Sequence, residues 1–246
     1  MFRIRLVAAP ALAVLAFALA MPAAFADGQD IDKVNGSITA EAGQAYGNLQ
    51  TVNGGIHVEA NARTGNVGTV NGGIHVEANA RTGNVGTVNG SIHVADGAQV
   101  GGLETVNGGV RAGQHVVIGK GVDTVNGEIF VDAGGHVGGD VGTVNGGIGL
   151  VDTDVDGGIS TVSGDVTVGV GSHVKGGLKV EKPNNNWSIH FGKPRIQRIV
   201  IGPNAVVEGP LVFEREVKLY VHASARTGTI TGATAIRFDG AHAPQD

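Results

Sequence analysis

Residues 51–68 read TVNGGIHVEANARTGNVG, and residues 69–86 repeat those letters without a change. The same frame begins at Lys33, Thr51, Thr69, Thr87, Thr105, Thr124, Thr143 and Thr161, a spacing of 18 residues with two copies of 19. A fixed period of this size marks a solenoid, in which each repeat is one turn of chain that buries its apolar side only against its neighbours. The second residue of every copy is Val, from Val34 and Val52 to Val162, and the fourth is always Gly, from Gly36 to Gly164. Val52, Val58, Thr64 and Val70 follow one another at intervals of six. Three short faces per turn are expected from that spacing, with Val52 turned inward and Thr51 and Asn53 turned outward beside it. On the next face Ile56 and Val58 point in, and His57 and Glu59 point out, because alternate residues of a strand face opposite sides.

Composition agrees with a β-solenoid and removes alternatives. Glycine supplies 43 of 246 residues without recurring every third position, which excludes collagen. Apolar residues make up 41 % and charged residues 16 %, which argues against disorder. With no cysteine there is no disulfide framework, thiolate nucleophile or cysteine-held zinc. The Asn column that precedes the glycines, Asn35 to Asn145, suits positive-φ corners and an amide ladder along the rod.

The expected organisation has six parts. Residues 1–26 form a signal peptide, with Arg3 and Arg5, an uncharged run, and Ala24-Phe25-Ala26 before cleavage at Asp27. The competing reading is an uncleaved anchor, since Leu6 to Ala26 carries no charge. A short N-terminal segment (27–32) precedes solenoid coils over 33–181. The stretch 182–194, KPNNNWSIHFGKP, is polar and proline-bounded and should protrude as a loop. Further coils follow over 195–238, where Tyr220 to Ile230 matches His57 to Val67, and a tail closes the chain at 239–246. The fold expected is an all-β, single-stranded β-helix of about ten coils of about 18 residues.

The TVNGxI copies resemble a family of bacterial secreted adhesin-type β-strand repeats, and Val100-Gly101-Gly102 to Gly209 is similar to the bactofilin-type, polymer-forming β-helix. The second resemblance implies a right-handed, three-faced helix able to stack end to end. The leader departs from it, because bactofilins act inside the cell. Neither resemblance implies catalytic residues.

Several groups invite chemistry. His57, His75 and His93 share one outward column that suits a metal ion, and continue as Arg111 and Phe130. Asp152, Asp154 and Asp156 alternate before Gly157 like the start of a calcium loop, although Ser163 stands where such a loop wants Glu; Ca2+ is the one cofactor considered. The Thr51/Asn53 pair, repeated along the rod, resembles an ice-binding array. Glu59 with Arg63, and Glu77 with Arg81, read as a solvated charged face rather than a catalytic pocket. Residues 27–160 carry 15 acidic and 5 basic side chains, whereas 161–246 carry 7 and 10. Within the second part, Lys182, Trp187, His190, Phe191, Lys193 and Arg195 make a basic, aromatic segment suited to an anionic envelope polysaccharide. Export disfavours nucleic acid, and no membrane span is expected once the leader is removed. The reading is of an exported, non-enzymatic scaffold or adhesin-like protein of the periplasm, cell surface or exterior. A polysaccharide-binding or polysaccharide-active β-helix is the alternative. The acidic N-terminal end and a last coil covered by Ile236 and Phe238 predict self-association limited to salt-sensitive, end-paired oligomers.

Overall fold

A computed structural model describes residues 28–183 and 196–245. These residues form a β-solenoid built from three parallel sheets. Sheet A has eleven strands, from Ile31–Asn35 and Leu49–Asn53 to Ile230–Thr231. Sheet B also has eleven, from Ile38–Ala40 to Ala235–Phe238. Sheet C has seven, from Gln99–Val100 to Arg226–Thr227, and single bridges Ala45–Arg63–Arg81–Gln99 extend it toward the N-terminus. Each coil visits A, then B, then C, and pairs in register with the coil before and after it. Eleven rungs make a rod of about 48 Å. The identical copies stack letter on letter, with Ile56 on Ile74, His57 on His75 and Val58 on Val76.

The core is a set of aliphatic columns: Ile38, Ile56, Ile74, Ile92, Ile129 and Ile148 on sheet B, Leu49, Val67, Val85 and Leu103 on sheet A, all buried. One coil cannot hide these side chains from water, so every rung depends on its neighbours.

Sheet A reverses one expectation. Thr51 is 4 % exposed, and Val52 is 40 % exposed. Alternation along Leu49–Asn53 starts from inward Leu49, so Thr51 points in and Val52 out, and the corner that follows resets the parity before Ile56. The even spacing of six had hidden that reset. With Thr51, Thr69 and Thr87 inside, the outward Thr/Asn array imagined for ice does not exist.

From Thr51 to Thr143 each inward hydroxyl of this column is bonded. Thr51 donates to the Gly36 carbonyl of the preceding coil at 3.0 Å, and the series continues through Thr69, Thr87, Thr105 and Thr124 to Thr143 with Gly127 at 3.2 Å. Outside the same corner, asparagine amides form a continuous ladder, from Asn53 Nδ2 donating to Asn35 Oδ1 at 3.0 Å to Asn145 donating to Asn126 at 3.0 Å. The glycine that follows is fixed chiefly by contact: a Cβ on Gly72 would collide with the Gly54 carbonyl below it.

At this corner Gly36, Gly108 and Gly164 have positive φ, and a second positive-φ corner, more regular along the rod, lies between sheets B and C. There Gly43, Asn61, Asn79, Gly97, His115, Gly134, Asp152, Gly171 and Asn204 all have positive φ, in one column. These are the residue types that tolerate that conformation.

The rod changes character near residue 180. Val180 pairs with Thr161 and supplies no hydroxyl, and Gln197 Nε2 donates instead to the Gly164 carbonyl at 2.7 Å. The sheet A strand Leu178–Val180 is followed in sequence by the sheet B strand Gln197–Ile201, and the loop expected over 182–194 lies, from 184 on, outside the described residues. At the far end Phe238 does not cover the last coil. It lies on the outer side of sheet B with Val200, Tyr220 and Ala243. The tail is tied there, since Arg198 donates to the carbonyls of Ala243 and Pro244 at 3.2 and 2.9 Å.

The threonine series makes a paired prediction. Thr105→Val removes a bonded hydroxyl and orphans the Gly90 carbonyl, and should cost about 1–2 kcal/mol in denaturant unfolding. Thr161 Oγ1 is buried without a partner among the described residues, so Thr161→Val should be neutral or stabilising. Equal losses would contradict the hydroxyl ladder.

Candidate functional site

The acidic triad is taken apart by the coil. Asp152 is the left-handed corner residue, with φ 43°. Asp154 points outward from sheet C between His136 and His173, its neighbours in register, while Val155 is buried in the core. Asp156 stands past the end of that strand. Lys175 Nζ donates to Asp156 Oδ1 at 2.6 Å, and His136 Nε2 lies 3.5 Å from Asp156 Oδ2. His173 Nε2 contacts Glu208 Oε1 at 2.7 Å, with its Nδ1 3.9 Å from Asp154. The hydrogen bond from Lys175, followed by the charges of Lys175 and His136, holds Asp156 below the usual carboxylate range, and the same bond raises Lys175. The carboxylates therefore meet histidines and a lysine on neighbouring rungs rather than one another. Among the described residues, no group of three His, Asp or Glu side chains is placed to hold a metal ion.

On sheet B the histidine column is real. His75 and His93 stack with centroids 5.1 Å apart and planes 5° from parallel, and His57 sits 6.1 Å from His75, tilted by 42°. Arg111 continues the stack 5.0 Å over Phe130. Partial burial, then His75 and Arg111, lower the pKa of His93. The expected Glu–Arg pairs are absent. Glu59 instead accepts from the Ala42 amide at 3.0 Å, and Glu77 Oε1 lies 3.6 Å from His57 Nε2.

Sheet A holds a feature that column reading could have found, because residues 104 and 123 are one coil apart. Glu104 and Asp123 are outward and paired in register. Crowding by surrounding protein, then Glu104, then Asp140, pushes Asp123 up to about 6. Crowding also raises Glu104, against the opposing charge of Lys120.

The basic segment is described only at its root. The Lys182 amide donates to Glu214 Oε2 at 3.1 Å, and Lys179 reaches both Glu181 and Glu214, at 3.0 and 3.1 Å. These contacts lower the pKa of Glu214, the Lys182 amide first and then Lys179. Trp187, His190, Phe191, Lys193 and Arg195 lie outside the described residues, as does the leader, residues 1–26. No family model, curated protein or solved structure matches the chain.

Asp123 yields a pH test. Its folded pKa is raised from 3.8 to about 6, so its contribution to stability is present below 3.8 and is lost as pH rises through about 6. At full strength the difference is about 3 kcal/mol; Asp123 is exposed, and solvent screening reduces the expectation to about 1 kcal/mol. Asp123→Asn should stabilise the protein by that amount at about pH 7.5 and by nothing at about pH 4. A gain independent of pH would contradict the carboxylate crowding.

Proposed function

We propose that this chain is an exported, non-enzymatic β-solenoid scaffold, adhesin-like in its repeats, that works in the periplasm or on the surface of a bacterial envelope. The observation that carries this reading is the exact stacking of residues 51–68 on 69–86. A whole coil is duplicated with its outward side chains, as suits a rod whose length and faces matter more than one unique pocket. The charged groups agree, because they form separate networks on all three faces. The leader supports export. Calcium at Asp152, Asp154 and Asp156 fits less well, since Asp156 is engaged by Lys175 and His136. Nucleic acid is not among the proposed partners, and an anionic envelope polysaccharide is.

Self-association belongs to the same proposal, with filaments opposed at both ends. Lys33 occupies the register position of inward Thr51, and Arg237 that of inward Val221. A charge in an inward column of a terminal rung discourages another chain from pairing there. Limited, salt-sensitive oligomers are the form expected in solution.

One observation favours a polysaccharide-active alternative: the paired carboxylates Glu104 and Asp123, both with raised pKa and Asp123 the more so, as a general acid requires. Two measurements separate these readings. Cell fractionation should recover a chain beginning at Asp27 outside the cytoplasm, and a screen of uronate and neutral glycans should show no cleavage. Turnover that disappears in Asp123→Asn would decide for the enzyme, and retention of the chain in the cytoplasm would end the envelope proposal.

A further inference from the structure

Arg63 and Arg81 lie on adjacent rungs, joined by a parallel bridge, with Ala45 on one side and Gln99 on the other. Both are exposed. Like charges directly opposite one another repel, and among the described residues no hydrogen bond or ion pair reaches either guanidinium. The nearest acids in sequence are committed elsewhere, Glu59 to the Ala42 amide at 3.0 Å and Glu77 toward His57 at 3.6 Å. Duplication explains why the same residue occurs twice. It does not explain what offsets the two charges. The fold does not require arginine in this column, since Gln99, Val117 and His136 occupy it further along.

The two arginines also share a shallow, open cleft, lined by Asn61, Arg63, Asn79 and Arg81. Asn61 and Asn79 are left-handed corner residues, with φ of 61° and 58°, which sets both amides at the rim of the cleft. Guanidinium is a planar fork of donors matched to oxyanions. Two forks one strand spacing apart, about 4.8 Å, can grip different oxygens of a single tetrahedral group, and their two positive charges match a dianion. A lone carboxylate would satisfy one fork and leave the other uncompensated. The asparagine amides donate and accept, as sugar hydroxyls do.

We propose that Arg63 and Arg81, with Asn61 and Asn79, bind the phosphate monoester of a phosphorylated glycan. The proposal deepens the envelope-polysaccharide reading only in saying where such a glycan is met, because oxyanion binding by the cleft stands apart from export.

Titration calorimetry of the full chain with glucose 6-phosphate, inorganic phosphate and unmodified glucose tests it. Glucose 6-phosphate should bind, inorganic phosphate more weakly, and glucose not at all. Arg63→Gln and Arg81→Gln should each weaken binding about tenfold or more, the double variant should abolish it, and Arg226→Gln, on a distant rung, should leave it unchanged. Arg81→Lys should not restore it, because an ammonium lacks the fork. Thermal unfolding guards against misfolded variants: phosphate should raise the midpoint of the parent and not of the double variant. Three results would overturn the proposal: no binding up to about 20 mM ligand, equal binding by the double variant, or capture by phosphatidic acid vesicles but not by the phosphorylated sugar. Failure of this site would leave the fractionation result untouched, and failure of export would leave the calorimetry untouched.

Discussion

In-register stacking at about 4.8 Å is the constraint from which the rest of this molecule follows. Every residue has the same position of the next coil directly above it, so each column must hold a side chain that tolerates its own neighbours. Aliphatic residues satisfy this by packing, asparagine by amide-to-amide bonds, and threonine by bonding a carbonyl one coil away. Glycine satisfies it by leaving room for the backbone below. Charges satisfy it only by alternation, as in the sheet C column where His136, Asp154 and His173 follow one another.

Where alternation fails, the structure shows the cost. Glu104 and Asp123 face each other in register, and crowding by surrounding protein, then Glu104 and Asp140, pushes Asp123 up to about 6. His75 and His93 stack, and partial burial, then His75 and Arg111, hold the His93 pKa below its usual value. Arg63 and Arg81 repeat the pattern with positive charge. A solenoid turns any duplicated ionisable residue into a like-charge pair, and such pairs are the places where an external ion or a proton has most to offer.

Much of the fold was legible because the register is linear in sequence. The coil period, the inward Ile56 and Val58, the outward His57 and Glu59 and the asparagine ladder all follow from aligning columns, and the count of about ten coils fell near the eleven rungs present. Corners were harder. Val52 is invariant among the copies and apolar, yet it faces out, because a two-residue corner, Gly54-Gly55 in this copy, separates its strand's alternation from that of Ile56–Val58. Asn-Gly marked a corner where Gly36, Gly108 and Gly164 take positive φ, but the more regular left-handed column, with Asn61, Asn79 and Asp152, carries no such dipeptide signal. Asp152 thus answers to backbone geometry, and the apparent calcium pattern is a corner residue followed by two surface acids. The pairing of Glu104 with Asp123 is less visible in the columns, because the 19-residue copy shifts the second residue by one.

Changing the number of coils tests the stacking account most directly. A chain carrying three further copies of residues 69–86, inserted after Gly86, should fold cooperatively with an unchanged all-β spectrum. Small-angle scattering should show it longer by about 14 Å at constant cross-section. An increase in cross-section without added length, or loss of cooperative folding, would contradict a solenoid held together by in-register neighbours.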